Sequence, residues 1–244
     1  MTVHENSGPT RQAASVNLTG PRPCPAGDVT TATYEQIAAL YYEKWRDRSA
    51  IHHHLTRFIE MIHAYGLGAL PVIDIGCGPG FDAAFFRRSG LRAVGLDLSP
   101  AMMNAGRPEY GGDYVQADMR RLPLAGAVGG LWVGASLLHL PRQEVPAVLS
   151  DFARVLADGG LLYLSLKAGQ GAEWTAESHG VPLPRYFVYW QPDALDQALR
   201  DASFQIVDGW LSPSGSADIG LTTSWLIRFA RKAPAGDLVA LNHG

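Results

Sequence analysis

The chain has 244 residues, enough for one domain or one domain with additions. A hydrophobic fraction of 47%, a charged fraction of 18% and a net charge of −3 describe a globular protein and argue against a dedicated nucleic-acid binder, which would carry a basic stripe. Two cysteines, Cys24 and Cys77, build neither a disulfide framework nor a metal site, and no signal-peptide core or run of about 20 apolar residues occurs, so a cytoplasmic protein without membrane contact is expected.

Residues 1–31 are polar and rich in Pro and Gly, and a flexible tail is expected there. Residues 32–68 are expected to form a helical cap, with one helix from Thr33 as N-cap to Trp45 and a second from Ala50 to Ala64, ending near Gly66. Leu70–Ile75 is a short apolar run with one acid, followed by glycines, as buried parallel strands are. A helix over Phe81–Arg88, stopped by Gly90, and a strand over Arg92–Leu98 follow. Ser99 is placed to cap a short helix over Pro100–Gly106. Strands over Tyr114–Ala117 and Leu131–Ala135, a helix over Gln143–Leu156 and a strand over Leu161–Leu166 continue the alternation. After a long connection come a helix over Pro192–Ala202 and strands over Phe204–Trp210 and Ser224–Ala230, joined by a Gly- and Ser-rich loop.

This alternation predicts an α/β three-layer sandwich over residues 69–233, with a tail over residues 234–244. Its sheet has seven strands, mostly parallel, with helices on both faces. The last strand returns without a helix and is expected to run antiparallel. Ligands in such sheets bind beyond the carboxyl ends of the strands, at the point where strand order reverses.

The strongest chemical signal is Asp74-Ile75-Gly76-Cys77-Gly78-Pro79-Gly80, between a predicted strand and a predicted helix. Glycines there let backbone approach a ligand closely and tolerate positive φ. Asp97 ends the next strand, where an acid accepts hydrogen bonds from ribose hydroxyls. The glycine spacing is not the G-x-G-x-x-G of dinucleotide sites, and Pro79 removes an N–H that a phosphate would use. A ligand with a ribose, no phosphate and positive charge fits these constraints, and S-adenosylmethionine has all three properties. Asp74 adds negative charge suited to a cation. A nicotinamide oxidoreductase is the less favoured reading.

At these residues the chain resembles the class I, Rossmann-like S-adenosylmethionine-dependent methyltransferases of the bacterial small-molecule type. The resemblance runs from about Tyr34 to Lys232. Its first motif falls on Asp74–Gly80 and its ribose acid on Asp97. Its adenine-contacting acid falls on Asp118, within Val115-Gln116-Ala117-Asp118-Met119. Tyr34 and Tyr41 match a helix that closes over the cofactor in similar enzymes. The stretches Ala135–Arg142, Lys167–Gly171 and Arg185-Tyr186-Phe187 also look like this group. One departure is Val128-Gly129, where the family opens its fourth strand with Phe-Asp. The resemblance implies a cofactor site of Tyr34, Asp74, Gly76, Cys77, Gly78, Asp97, Leu98, Met102, Asp118, Met119 and Ser136. It implies methyl transfer to a small-molecule acceptor. Cyclisation or cyclopropanation without net methylation, on the same fold, is the alternative.

His139 lies just past the fourth predicted strand and is the first choice for a general base, Tyr186 the second. Arg185 is expected to face the acceptor. Lys167 reads as a solvated lysine at a strand end. Trp174, Tyr186, Phe187, Tyr189 and Trp190 are placed either to wall an acceptor pocket or to cover the sheet edge. His52-His53-His54 diverge by about 100° per residue on a helix and do not converge on a metal.

Overall fold

The computed structural model describes residues 25–212 and 223–234. The expected tail up to residue 24, most of the loop before the last strand and the tail from residue 235 lie outside the described residues. Two helices come first, α1 (Pro25–Trp45) and α2 (His52–Ala64). Then β1 (Val72–Ile75), α3 (Phe81–Arg88), β2 (Ala93–Asp97), α4 (Pro100–Tyr110), β3 (Tyr114–Gln116) and β4 (Val128–Gly134) alternate. The alternation continues through α5 (Val145–Val155) and β5 (Leu156–Lys167). A hairpin of β6 (Ala172–Trp174) and β7 (Tyr186–Val188) precedes α6 (Pro192–Asp201), β8 (Phe204–Ser212) and β9 (Trp225–Lys232).

The main sheet has seven strands in the order β3-β2-β1-β4-β5-β9-β8, and β9 runs antiparallel to both neighbours. The strand order reverses between β1 and β4, so a ligand crevice opens at their carboxyl ends. Every residue of β1 is buried, as expected of a parallel strand covered on both faces. On β4 and β5, Trp132 and Tyr163 are register partners with rings stacked at 3.7 Å. At the opening of β4, a side chain at Gly129 would meet the Leu67 carbonyl at 2.8 Å, so this position is held to glycine by close packing. The three histidines diverge as expected: His52 packs edge-on to Phe85, His53 stacks on Trp210, and His54 is buried beside the Tyr163 hydroxyl at 2.7 Å.

Three features depart from the sequence reading. First, α1 begins at Pro25, inside the expected tail, and Thr33 lies within the helix rather than capping it. Long-range contacts hold this extra turn, with the Tyr186 N–H donating to Thr30 Oγ1 at 3.0 Å and the Thr33 hydroxyl donating to the Pro184 carbonyl at 2.6 Å. Second, β5 starts at Leu156, well before Leu161. Val128 pairs with Leu156 and Gly130 with Leu161, and Gly159 turns the chain between them at φ 71°. Third, the connection before α6 forms the β6–β7 hairpin, which pairs Trp174 with Tyr186.

Candidate active site

The turn after β1 is fixed by its own backbone. The Gly76 and Cys77 N–H groups both donate to the Leu96 carbonyl, at 2.7 and 3.0 Å. The Gly78 N–H donates to Asp97 Oδ2 at 2.8 Å, and the Gly80 N–H to the Cys77 carbonyl at 2.9 Å. Pro79 has none to give. The turn therefore has no N–H left to cradle a phosphate, unlike a dinucleotide loop. Gly76 sits at φ 68°, and a Cβ there would lie 2.3 Å from the Ser136 Cβ. Ser136 cannot retreat freely, because its hydroxyl donates to the Ile75 carbonyl at 2.7 Å.

A cavity of about 790 Å³, counting its open mouth, lies beyond this turn. It brings together ten of the expected site residues: Tyr34, Gly76, Gly78, Asp97, Leu98, Met102, Asp118, Met119, Ser136 and His139. Asp74 and Cys77 stay behind the turn. Asp74 accepts the Ala83 N–H at 3.1 Å, which fixes the start of α3, and burial raises its pKa well above the usual carboxylate value. Burial likewise raises the Cys77 thiol, so it is not a thiolate nucleophile. Asp97 accepts from Gly78 and, through Oδ1, from the Ser99 N–H at 2.8 Å, which leaves lone pairs open to the cavity. Burial raises its pKa, against the pull of those backbone donors.

The sequence did not point to Gly27, Thr30 and Arg120, which also line the cavity. Arg120 clasps Asp118, Nε to Oδ2 at 2.7 Å, and also approaches Glu144 at 3.7 Å. An Arg two residues after the acid was the available signal.

His139 stands where this cavity meets a second one of about 970 Å³; Tyr34, Tyr41, Gly134 and Ala135 also line both. The His139 Nδ1 lies 2.6 Å from the Tyr186 carbonyl, an acceptor only, so Nδ1 carries the proton. Its Nε2 then accepts the Tyr34 hydroxyl at 2.9 Å, and the Tyr34 oxygen accepts from Arg185 at 3.2 Å. Burial pushes His139 down to about pKa 3, and the Arg185 and Lys167 charges add to the effect. Arg185 lines the second cavity. Tyr186 lines neither; it contributes its carbonyl to His139, and its ring packs against Trp174.

The depressed His139 has a consequence for stability. Below its ordinary value of about 6.5, unfolded His139 takes up a proton that the folded site refuses until about pKa 3. Stability from this group is complete above about pH 6.5 and is lost as pH falls. His139→Asn removes the term. Between about pH 7.5 and about pH 5, the native chain should lose up to about 2 kcal/mol more than the variant. Urea unfolding at the two pH values measures it; equal losses in both proteins would refute the assignment.

Among the described residues, no group of three His, Cys, Asp or Glu is placed to hold a metal, and no helix is long and apolar enough to cross a membrane.

A family model described as a methyltransferase domain matches residues 72–160, from β1 into β5. An uncharacterized methyltransferase of Mycobacterium sp. (strain KMS) is 36% identical over 100 residues, covering 40% of this chain and 39% of that protein. A malonyl-[acyl-carrier protein] O-methyltransferase of Serratia marcescens is 32% identical over 100 residues, with the same two coverages. The chain thus spans about two fifths of the length of these curated relatives. Among solved structures, the Burkholderia thailandensis 1,6-didemethyltoxoflavin-N1-methyltransferase has a TM-score of 0.63 at 21% identity, covering 88% of this chain and 93% of that one. The [4+2]-cyclase SpnF has a TM-score of 0.64 at 17% identity, covering 87% and 99%. Residues 72–160 thus match a methyltransferase domain, within a seven-stranded sheet whose fold is shared with solved methyltransferase structures.

Proposed function

We propose that the protein binds S-adenosylmethionine in the cavity beyond Gly76 and transfers its methyl group to a small-molecule acceptor in the second cavity. The observation that carries this reading is the turn whose N–H groups are all spent internally, facing the Asp97 carboxylate. Such a wall repels phosphate and favours a cationic nucleoside. The bound cofactor supplies a sulfonium methyl for in-line displacement, in which the new bond forms as the carbon–sulfur bond breaks and the sulfonium charge is discharged.

The protein's own groups orient the partners. Asp97 accepts the ribose hydroxyls, and Leu98 and Met102 flank the adenine. Asp118, already clasped by Arg120, and Met119 meet its edge. Gly76 and Gly78 admit the methionine portion. Tyr34, held between His139 and Arg185, stands at the boundary of the two cavities. Alignment of this kind lowers a barrier by on the order of 7–11 kcal/mol.

Calorimetric titration with S-adenosylmethionine and S-adenosylhomocysteine tests the reading. Both should bind, and Asp97→Asn should weaken each by at least about ten-fold, because it removes the charge from the ribose contact and sets an amide NH2 against the Gly78 or the Ser99 N–H. A folded native chain that binds neither at millimolar concentration would sink the proposal. The likeness to a [4+2]-cyclase keeps one other reading open, cofactor binding without net methylation. Release of S-adenosylhomocysteine during turnover separates the two.

A further inference from the structure

The second cavity has a flat apolar floor and a set of donors that lack an acid. Along β5, Tyr163, Ser165 and Lys167 alternate onto one sheet face and line the cavity. Trp132 is the register partner of Tyr163, and Trp225 that of Lys167, so all share this face. Trp45 and Phe187 close it from other elements.

Two cations flank one ring in this space. Lys167 Nζ lies 3.6 Å from the Phe187 centroid, and the Arg185 guanidinium carbon lies 5.2 Å from it. Arg185 donates only to neutral oxygens, Ser178 Oγ at 2.8 Å and Tyr34 Oη at 3.2 Å. Among the described residues, neither Lys167 nor Arg185 forms an ion pair. Glu173, whose charge reaches Lys167, is exposed and bonded to the Tyr189 hydroxyl. Among the described residues, no Asp or Glu lines the cavity. Of the two other cations that line it, Lys44 is exposed, and half-buried Arg48 is already taken by Asp82 at 2.9 and 2.7 Å.

Buried polar atoms point the same way. Trp225 is 6% exposed, and its indole N–H has no acceptor among the described residues. Both ring nitrogens of His179 are buried without partners. Burial, and then Arg185, push Lys167 below its usual range, as expected for like charges held together without a counter-ion. Such an arrangement is costly until an anion enters, and an anion gains charge-assisted hydrogen bonds there.

We propose that the second cavity binds a small organic carboxylate on a flat, unsaturated body, gripped by Lys167 and Arg185 over the Trp132, Phe187 and Trp225 surfaces, and that the methyl acceptor belongs to this class. The acceptor role rests on the function proposed above; the anion site does not.

The test is calorimetric titration of the full chain, saturated with S-adenosylhomocysteine, with trans-cinnamate, 2-naphthoate and their neutral amides. Each acid should bind about ten- to a hundred-fold more tightly than its amide. Lys167→Met should cut the preference by about ten-fold while affinity for S-adenosylhomocysteine stays within about two-fold, which also reports that the variant is folded. Lys167→Glu should reverse the preference. Equal affinities of acid and amide, no binding of either acid at millimolar concentration, or a preference that survives both variants overturns the proposal. Failure to bind S-adenosylhomocysteine with the acid preference intact would count against the methyltransferase reading alone.

Discussion

Gly76→Ala is expected to abolish measurable cofactor binding and to lower the melting temperature. Two costs combine. A side chain at φ 68° strains the backbone by about 1–2 kcal/mol. A Cβ placed 2.3 Å from the Ser136 Cβ forces the turn and the residue after β4 apart, adding about 1–3 kcal/mol. The turn moves away from Asp97, so affinity should fall by more than about a hundred-fold. Gly66 is the control, because it has nearly the same φ of 70° with nothing within 4 Å of a built Cβ. Gly66→Ala should show the backbone cost and leave cofactor affinity unchanged. Adding Ser136→Gly to Gly76→Ala should recover part of the stability. Differential scanning calorimetry and ligand titration read both quantities. If the two alanine variants behave alike, close approach to Ser136 is not what holds position 76 to glycine.

His139→Ala should lower turnover by about 10²-fold, the loss expected when a positioning contact is removed, with cofactor affinity little changed. The structure changes the reason expected from sequence. At about pKa 3, with Nε2 already accepting the Tyr34 hydroxyl, His139 is a weak base near neutral pH and a firm hydrogen-bond acceptor. Its work is to hold Tyr34 at the boundary between cavities, which makes it a positioning residue. His139→Asn can still donate to the Tyr186 carbonyl or accept from Tyr34. It should therefore recover turnover to within about ten-fold of native. The native pH profile should show no ionisation near pH 6.5 from this residue. An Asn variant as slow as Ala, together with a titration of kcat near neutrality, would restore the base role.

The parts of the fold legible in the sequence were those written in local period and punctuation. Phe81–Arg88 coincides with α3, because Gly80 stands directly before it and Gly90 two residues beyond its end, both at positive φ. Asp97 and Gly78 met as the spacing suggested, since a strand, a tight turn and a neighbouring parallel strand leave little freedom between them. The start of α1 was hidden because Gly27, Val29 and three threonines are poor helix formers. Tertiary bonds from Thr30 and Thr33 override that propensity. Lys167 read as a solvated strand end because its meaning depends on register. Only the pairing with Trp225 across β9 and the return of Phe187 on the hairpin make it part of a cavity. The aromatic connection divides between the two roles the sequence left open: Phe187 faces the cavity, Trp190 is buried at 2% exposure, and Trp174 stays at the surface.

Tyr34 and Tyr41 lie seven residues apart on α1 and form wall in both cavities. The same helix is tied at Thr30 and Thr33 to the segment that carries Arg185 and Tyr186. A displacement of α1 wide enough to admit one ligand therefore strips a wall from the other. Occupancy at one site raises the residence time at the other, and by linkage the two affinities shift by the same factor.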